Sequence, residues 1–244
     1  MTTIAVLQPS YLPWAGVFHQ MWRSDVFVFY NDVQYTVGDW RNRNRIRTAL
    51  GWQWLTVPVI RKGKFGQMIN EVEINSNTDW GRQHLASIKQ NYSKARFFDE
   101  LFPLMEMMLS RRYNERTKLS VMTTAITACL AEKLGIETEL VLSSELNISG
   151  SQTSRLVNIC KHFNADHYYS GAAARNYLDI KQFEEAGISV EFQDYKHPVY
   201  KQVYEPFISH LSVIDLMFNE GPRSLEILTG GNKCKYWLLG EVAL

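Results

Sequence analysis

The sequence predicts an α/β protein, a Rossmann-like parallel or mixed sheet with a helical layer inserted in the middle of the chain. Three observations carry this. Two short apolar runs, Thr3 to Leu7 and Asp25 to Tyr30, flank a loop and a helical stretch, as in the strand–loop–helix–strand unit that begins parallel sheets. A block of helical periodicity then runs from about 79 to 135. After it, strand-length and helix-length segments alternate again up to Phe218.

Thr3 to Leu7 reads as a buried strand. The loop Gln8-Pro9-Ser10-Tyr11-Leu12-Pro13-Trp14-Ala15-Gly16 follows, shaped by two prolines and a glycine, and Val17 to Arg23 forms the first helix. Asp25 to Tyr30 is the second strand, so the Gln8–Gly16 loop and Asn31-Asp32-Val33-Gln34 both lie beyond strand carboxyl ends, where ligands of such sheets bind. Trp52 to Ile60 and Met68 to Ile74 read as further strands, joined by the basic Arg61-Lys62-Gly63-Lys64-Phe65-Gly66 as a hairpin tip, either a solvated turn or a flexible loop that closes on a phosphate. Helices are expected over Trp80 to Tyr92, Phe97 to Leu109 and Thr117 to Leu134, the last closed by Gly135. Strands at Glu139 to Leu142, His167 to Tyr169 and Ile188 to Phe192 alternate with helices at Ser151 to Phe163, Ile180 to Ala186 and Leu211 to Phe218. No repeat or linker divides residues 1–244, so one domain is expected, with a loosely packed tail from Thr229 to Lys235.

Twenty-six Lys and Arg against 25 Asp and Glu leave a net charge of +1, which excludes a global field able to hold long DNA. Anion binding has to be local. Cys129, Cys160 and Cys234 are far apart and match no zinc-type spacing, which fits a reduced, cytoplasmic protein. No apolar run long enough for membrane insertion is present. Aromatics make up 13% of the chain, with seven Trp and twelve Tyr, a composition suited either to a small-molecule cleft or to core packing.

The densest functional signal is Trp40-Arg41-Asn42-Arg43-Asn44-Arg45-Ile46-Arg47. In an extended chain the four arginines share one edge, a match for phosphate or carboxylate, or equally a solvated edge strand that resists aggregation. Asp32 and Gln34 share a face beyond the second strand; the carboxylate is a general base, a metal ligand or a salt-bridge partner. Ser212, Asp215 and Asn219 share one side of an otherwise apolar helix, preceded by Tyr200 and Gln202. There is no dedicated metal motif, nucleophile elbow or Cys-His set; magnesium would enter through a bound phosphate.

These residues also carry a resemblance. Gln8-Pro9-x-Tyr11-Leu12-Pro13-Trp14-x-Gly16, Asp25-Val26-Phe27-Val28, Asp32-Val33-Gln34 and Trp40-x-Asn42-Arg43-Asn44-x-Ile46 are similar to the signature of the WbqC-like family. Ser143-Ser144-Glu145-Leu146, Tyr169-Ser170-Gly171, Tyr177-Leu178 and Leu211 to Asn219 extend it over about residues 4 to 221. The family is associated with gene clusters for lipopolysaccharide O-antigen and related surface sugars. The resemblance therefore implies a small, activated, anionic substrate, a nucleotide-sugar or an acyl-adenylate.

The function expected is a transferase moving an acyl or aminoacyl group onto a nucleotide-sugar or related amine, in surface-glycan or specialised-metabolite biosynthesis. Arg43 and Arg45 would hold phosphate or carboxylate, Asn42 and Asn44 would orient the ligand, and Tyr11 and Trp14 would stack on it. Asp32, His19 and Asp215 are the candidate catalytic groups. Gln8, Gly16, Gln34, Ser170, Gly171, Arg175, Tyr200, Gln202, Ser212 and Asn219 complete the substrate-binding set. Two rivals are a nucleotidyltransferase-like enzyme and a non-catalytic nucleotide-sugar-binding protein. In the first, Pro13-Trp14-Ala15-Gly16-Val17 stands where a His-x-Gly-His loop would, with Trp14 and Val17 in place of the two histidines that stabilise transferring phosphate. An aminoacyl-tRNA is a further donor, and homo-oligomerisation is left open.

Overall fold

A computed structural model of the protein describes residues 1–110 and 117–231. The described residues form seven strands and eight α-helices, beginning with β1 (Thr3–Leu7), α1 (Ala15–Arg23) and β2 (Val26–Phe29). Both strands are continuous apolar runs because the sheet is covered on both faces. Their side chains alternate between two cores. Ile4, Val6, Val26 and Val28 pack to one side with Leu156, Ile159 and Phe183, whereas Ala5, Phe27 and Phe29 pack to the other with Phe18, Met21 and Leu130. Ser24 stops α1 by donating its hydroxyl to the carbonyls of Gln20 and Met21, both at 3.0 Å.

Between β2 and the next strand of the main sheet the chain makes a separate hairpin, β3 (Arg43–Thr48) and β4 (Gly51–Thr56), and then a layer of three helices, α2 (Trp80–Tyr92), α3 (Phe98–Leu109) and α4 (Leu119–Leu134). This is the inserted helical layer that the periodicity predicts. Asp79 caps α2 by accepting from the Arg82 amide, and Gly135, at φ +80°, closes α4 in the left-handed conformation that glycine favours. Helices α2 and α3 approach closely because Gly81 has no β-carbon; one there would lie 2.2 Å from the Leu109 carbonyl oxygen.

The chain then completes the sheet with β5 (Glu139–Leu142), α5 (Gln152–His162), β6 (His167–Ser170), α6 (Ile180–Glu185) and β7 (Ser189–Phe192), and ends with α7 (Val213–Glu220) and α8 (Ser224–Leu228). The five-stranded sheet is parallel throughout, in the order β5-β2-β1-β6-β7. Numbering only its own strands along the chain gives 3-2-1-4-5, the Rossmann-like arrangement, with the direction of winding reversing between β1 and β6.

Two local expectations are corrected, and at a third place the structure decides between alternatives. The strand expected over Trp52 to Ile60 ends at Thr56, with Pro58 just beyond. Met68 to Ile74 is not a strand: Ile69–Glu71 is a 3-10 turn, closed by the Glu71 carboxylate accepting from the Met68 amide at 2.9 Å, and only isolated bridges join Gln34 to Met68 and Val59 to Ile74. The basic segment 61–66 is an exposed loop between those bridges, which agrees with a solvated turn, with Lys64 paired to Glu73 at 2.6 Å. Of the tail expected to be loosely packed, Asn232 to Lys235 lie outside the described residues.

Candidate functional site

A cleft of about 540 Å³ opens at the carboxyl ends of β1, β2 and β6. Its floor is Val6, Leu7 and Gln8; Tyr30 and Val33 enter from beyond β2, Tyr168 from β6, and Tyr177 and Leu178 from the turn after it. The first turn of α5 contributes Gln152, Thr153 and Leu156, and Arg41 reaches in from the segment before the hairpin. Three tyrosines and one cation thus face a single cavity at the strand ends.

Arg41 is held by its own surroundings. Nη1 donates to the Gln8 carbonyl at 3.2 Å, Nη2 lies 3.5 Å from the Asp39 carboxylate, and Nε is buried without a hydrogen-bond partner. Burial draws its pKa down from the ordinary arginine value, and Asp39, Tyr177 and Tyr35 oppose that shift. The Asp39 ion pair leaves Nε as the one guanidinium nitrogen for which the described residues supply no partner.

Asp32 stands at the edge of this region, where the ends of β2 and β5 are stitched together. Its carboxylate pairs with the Arg155 guanidinium and accepts the Ser143 hydroxyl. Asn31 donates its side-chain amide to Ser144 Oγ at 3.0 Å, and its carbonyl oxygen accepts the Ser144 backbone amide at 3.1 Å. Arg155 lies 5.1 Å from the centre of the Tyr30 ring, whose hydroxyl pKa is raised chiefly by burial. Of the roles open to Asp32 in the sequence, the one visible in the geometry is the salt bridge. Gln34 is exposed at its bridge with Met68 and does not line the cleft.

The remaining candidates are distributed over three other places. The first is the loop before α1. Tyr11 is fully buried, with its hydroxyl 2.9 Å from His84 Nδ1, and Leu12 gives its carbonyl to Asn44 Nδ2 at 2.7 Å. Trp14 lays its indole over Gly16 and stacks on His210 at 5.2 Å, so the start of α1 is covered by the protein's own side chain. On the next turn, His19 lies 3.2 Å from Gln193 Nε2 and 3.4 Å from the Tyr169 hydroxyl, and burial lowers its pKa to about 4. Ser170 is buried at the end of β6; Gly171 follows beside Gln20, and Arg175 is exposed over the Phe192 ring.

The second place is the hairpin. Its arginines do face one side, yet they meet different surroundings. The Arg43 guanidinium lies 4.3 Å from the Trp54 ring centre, and Arg45 lies 4.9 Å from Trp52. Arg47 is only 1% exposed, with Nη1 donating to the Gly51 carbonyl at 2.7 Å and Nη2 to the Pro206 carbonyl at 2.9 Å. Asn42 spends its amide on the Val57 carbonyl at 2.8 Å. The third place is α7, where Ser212 is the N-cap, Asn219 Nδ2 donates to the Asp215 carbonyl, and Asp215 is wholly buried. The Asp215 carboxylate accepts from Tyr92 at 2.8 Å and from Tyr200 and Gln202 at 2.7 Å, while burial raises its pKa.

Among the sequence candidates, Gln8 alone lines the cleft, with Asp32 close by. Arg41, Tyr30, Thr153 and Tyr168 carry little in the sequence to single them out. For Arg41 the available signal was the arginine alternation itself, and the family pattern set that residue aside as a flanking position. Among the described residues no cluster of three His, Cys, Asp or Glu is arranged to hold a metal ion, and no helix is long and apolar enough to cross a membrane.

The WbqC-like protein family model matches residues 8–227. A protein of Mycobacterium tuberculosis strain H37Rv described as uncharacterized is 38% identical over 229 residues, covering 93% of this chain and 98% of that one. No solved structure matches the chain. The matched span takes in four of the five strands of the parallel sheet, all but β1, together with the hairpin, the inserted helices and every cleft residue but Val6 and Leu7, and the chain belongs to the WbqC-like protein family.

Proposed function

We propose that the protein is a transferase acting on a small, activated, anionic substrate, moving an acyl or aminoacyl group onto a nucleotide-sugar or related amine in surface-glycan or specialised-metabolite synthesis. The observation that carries this reading is Arg41, a largely buried cation with an unpartnered Nε at the rim of a cleft at the strand carboxyl ends. The cleft volume of about 540 Å³ suits a nucleotide-sized ligand, and the tyrosine wall suits its base. In the transfer, the acceptor amine attacks the acyl carbon, the leaving group departs with its bonding electrons, and the proton the amine gives up passes to the departing group or to water.

The direct test is calorimetric titration with a panel of nucleotides and nucleotide-sugars, on the natural protein and on Arg41→Gln. Binding weakened tenfold or more by Arg41→Gln, with unchanged melting temperature, is the expected result. Equal affinity in both proteins would remove Arg41 and this cleft from the reading.

A non-catalytic binding protein is the second reading, favoured by the commitment of Asp32 to Arg155 and Ser143 and by the lack of a carboxylate among the described residues that line the cleft. Saturable nucleotide-sugar binding without turnover under any acyl donor decides for it. Nucleotidyl transfer is disfavoured by the Trp14 indole lying over Gly16, where a phosphate would approach the start of α1.

A further inference from the structure

The hairpin carries a surface that the cleft does not use. Trp40, Trp52 and Trp54 are 40%, 43% and 37% exposed, with neighbouring rings 5.2 and 5.5 Å apart. Three indoles on one exposed face are costly in water unless something covers them. Two guanidinium groups lie against them: Arg43 over Trp54, and Arg45 within 5.8 Å of all three ring centres.

Neither cation is neutralised by a carboxylate of the described residues, and the Nε of each is buried without a partner. Their Nη2 groups are instead tethered to backbone, Arg43 to the Gly38 carbonyl and Arg45 to that of His210. The tethers hold the cations beside the rings. The ligand that suits this face is anionic and brings flat π surfaces of its own. A neutral sugar would stack on indole but leave both charges unmet, and an acidic peptide would meet the charges but not the rings.

We infer that the Trp40, Trp52, Trp54, Arg43 and Arg45 face is a stacking surface for a short single-stranded nucleic acid end. Bases lie against the indoles and guanidinium planes, and phosphates meet the arginines. The net charge of +1 limits the contact to a few nucleotides. Trp40 adjoins Arg41, which reaches the Gln8 carbonyl in the cleft, so the strand end lies next to the cavity. The inference does not depend on what that cavity binds.

Fluorescence anisotropy with a labelled eight-nucleotide RNA, read beside the same sequence as a duplex, tests it. The single strand is expected to bind better than the duplex and to quench tryptophan emission. Two phosphate contacts give a slope of log K against log salt of about −1.4. Trp52→Ala/Trp54→Ala removes two half-exposed rings and should lower the melting temperature by a few degrees at most and keep any nucleotide-sugar binding, while lowering RNA affinity about tenfold per indole. Arg43→Lys/Arg45→Lys keeps both charges but loses the planes, and should also weaken binding. Arg41→Gln should weaken RNA binding much less than the double tryptophan change does while weakening nucleotide-sugar binding about tenfold, which separates this surface from the cleft. Duplex binding equal to single-strand binding, wild-type affinity in the double tryptophan variant, or quenching by a neutral oligosaccharide with no RNA binding each overturns the inference.

Discussion

The indole of Trp14 fills the space into which any side chain at Gly16 would project: a β-carbon at Gly16 would lie 2.2 Å from Trp14 Cζ2. That ring cannot swing away freely, because Tyr195 meets it edge-on at 5.5 Å and His210 stacks on it at 5.2 Å. Gly16→Ala should therefore destabilise the fold by about 1–3 kcal/mol through overpacking. In denaturant titrations Trp14→Ala/Gly16→Ala should cost less than the sum of the two single changes. Strict additivity would mean that the glycine serves something other than the indole.

The same pair shows where the sequence was legible. A proline- and glycine-shaped loop between β1 and α1 follows from Pro9, Pro13 and Gly16, and the parallel sheet follows from runs such as Val26–Phe29, because apolar continuity and turn chemistry are local properties. What the glycine makes room for is not local: the indole over it is held by Tyr195 and His210, nearly 200 residues away. The arginine run makes the same point. Arg41, Arg43 and Arg47 are alike in the sequence, and only the third dimension puts one at the cleft, one on a tryptophan and one among the Gly51 and Pro206 carbonyls. Met68 to Ile74 misleads for a related reason: its apolar alternation fits a strand, but the Glu71 carboxylate folds back on the Met68 amide and closes a turn.

Acid should destabilise the protein from about pH 6.5 downward. Burial holds His19 and His84 at pKa values of about 4, below the ordinary 6.5, so both are neutral in the fold and take up protons more readily when unfolded. The stability this gives is complete above pH 6.5 and is lost as the pH falls toward 4, by up to roughly 3 kcal/mol for each histidine. Asp215, with its pKa raised by burial, works in the opposite sense, because the folded state then retains its proton to higher pH than the unfolded chain does. Guanidinium melts at half-unit pH steps should show the loss, and His19→Gln/His84→Gln should flatten it. An undiminished slope in that variant would place the sensitivity elsewhere.

Asp215→Asn is nearly isosteric yet should cost about 2 kcal/mol or more. Tyr92 donates to one carboxylate oxygen, and Tyr200 and Gln202 donate to the other. An asparagine presents one acceptor and one NH₂ group, so at least one buried donor faces another donor. Thermal melts of Asp215→Asn alone and with Tyr92→Phe measure this; the added Tyr92→Phe change should cost less in the Asn background than in the natural one. If Asp215 instead acted on a ligand, Asp215→Asn would abolish turnover at unchanged melting temperature.

Tyr177 separates binding from folding most cleanly. It lines the cleft yet is 71% exposed, so its ring packs little against the core, whereas Tyr168 lines the same cleft at 2% exposure and stacks on Phe183 at 4.9 Å. Removing an exposed ring should change stability by no more than about 0.5 kcal/mol. If a nucleotide base lies against the tyrosine wall, losing that ring also forfeits about 1 kcal/mol of stacking. Tyr177→Ala should therefore weaken nucleotide-sugar binding about fivefold at unchanged melting temperature, and Tyr177→Phe should restore it, because the ring and not the hydroxyl makes the contact. Tyr168→Ala should lower the melting temperature by several degrees and weaken binding only through the damaged fold. Nucleotide-sugar affinity indifferent to Tyr177→Ala would move the base away from this wall and leave Arg41 as the sole support for the ligand.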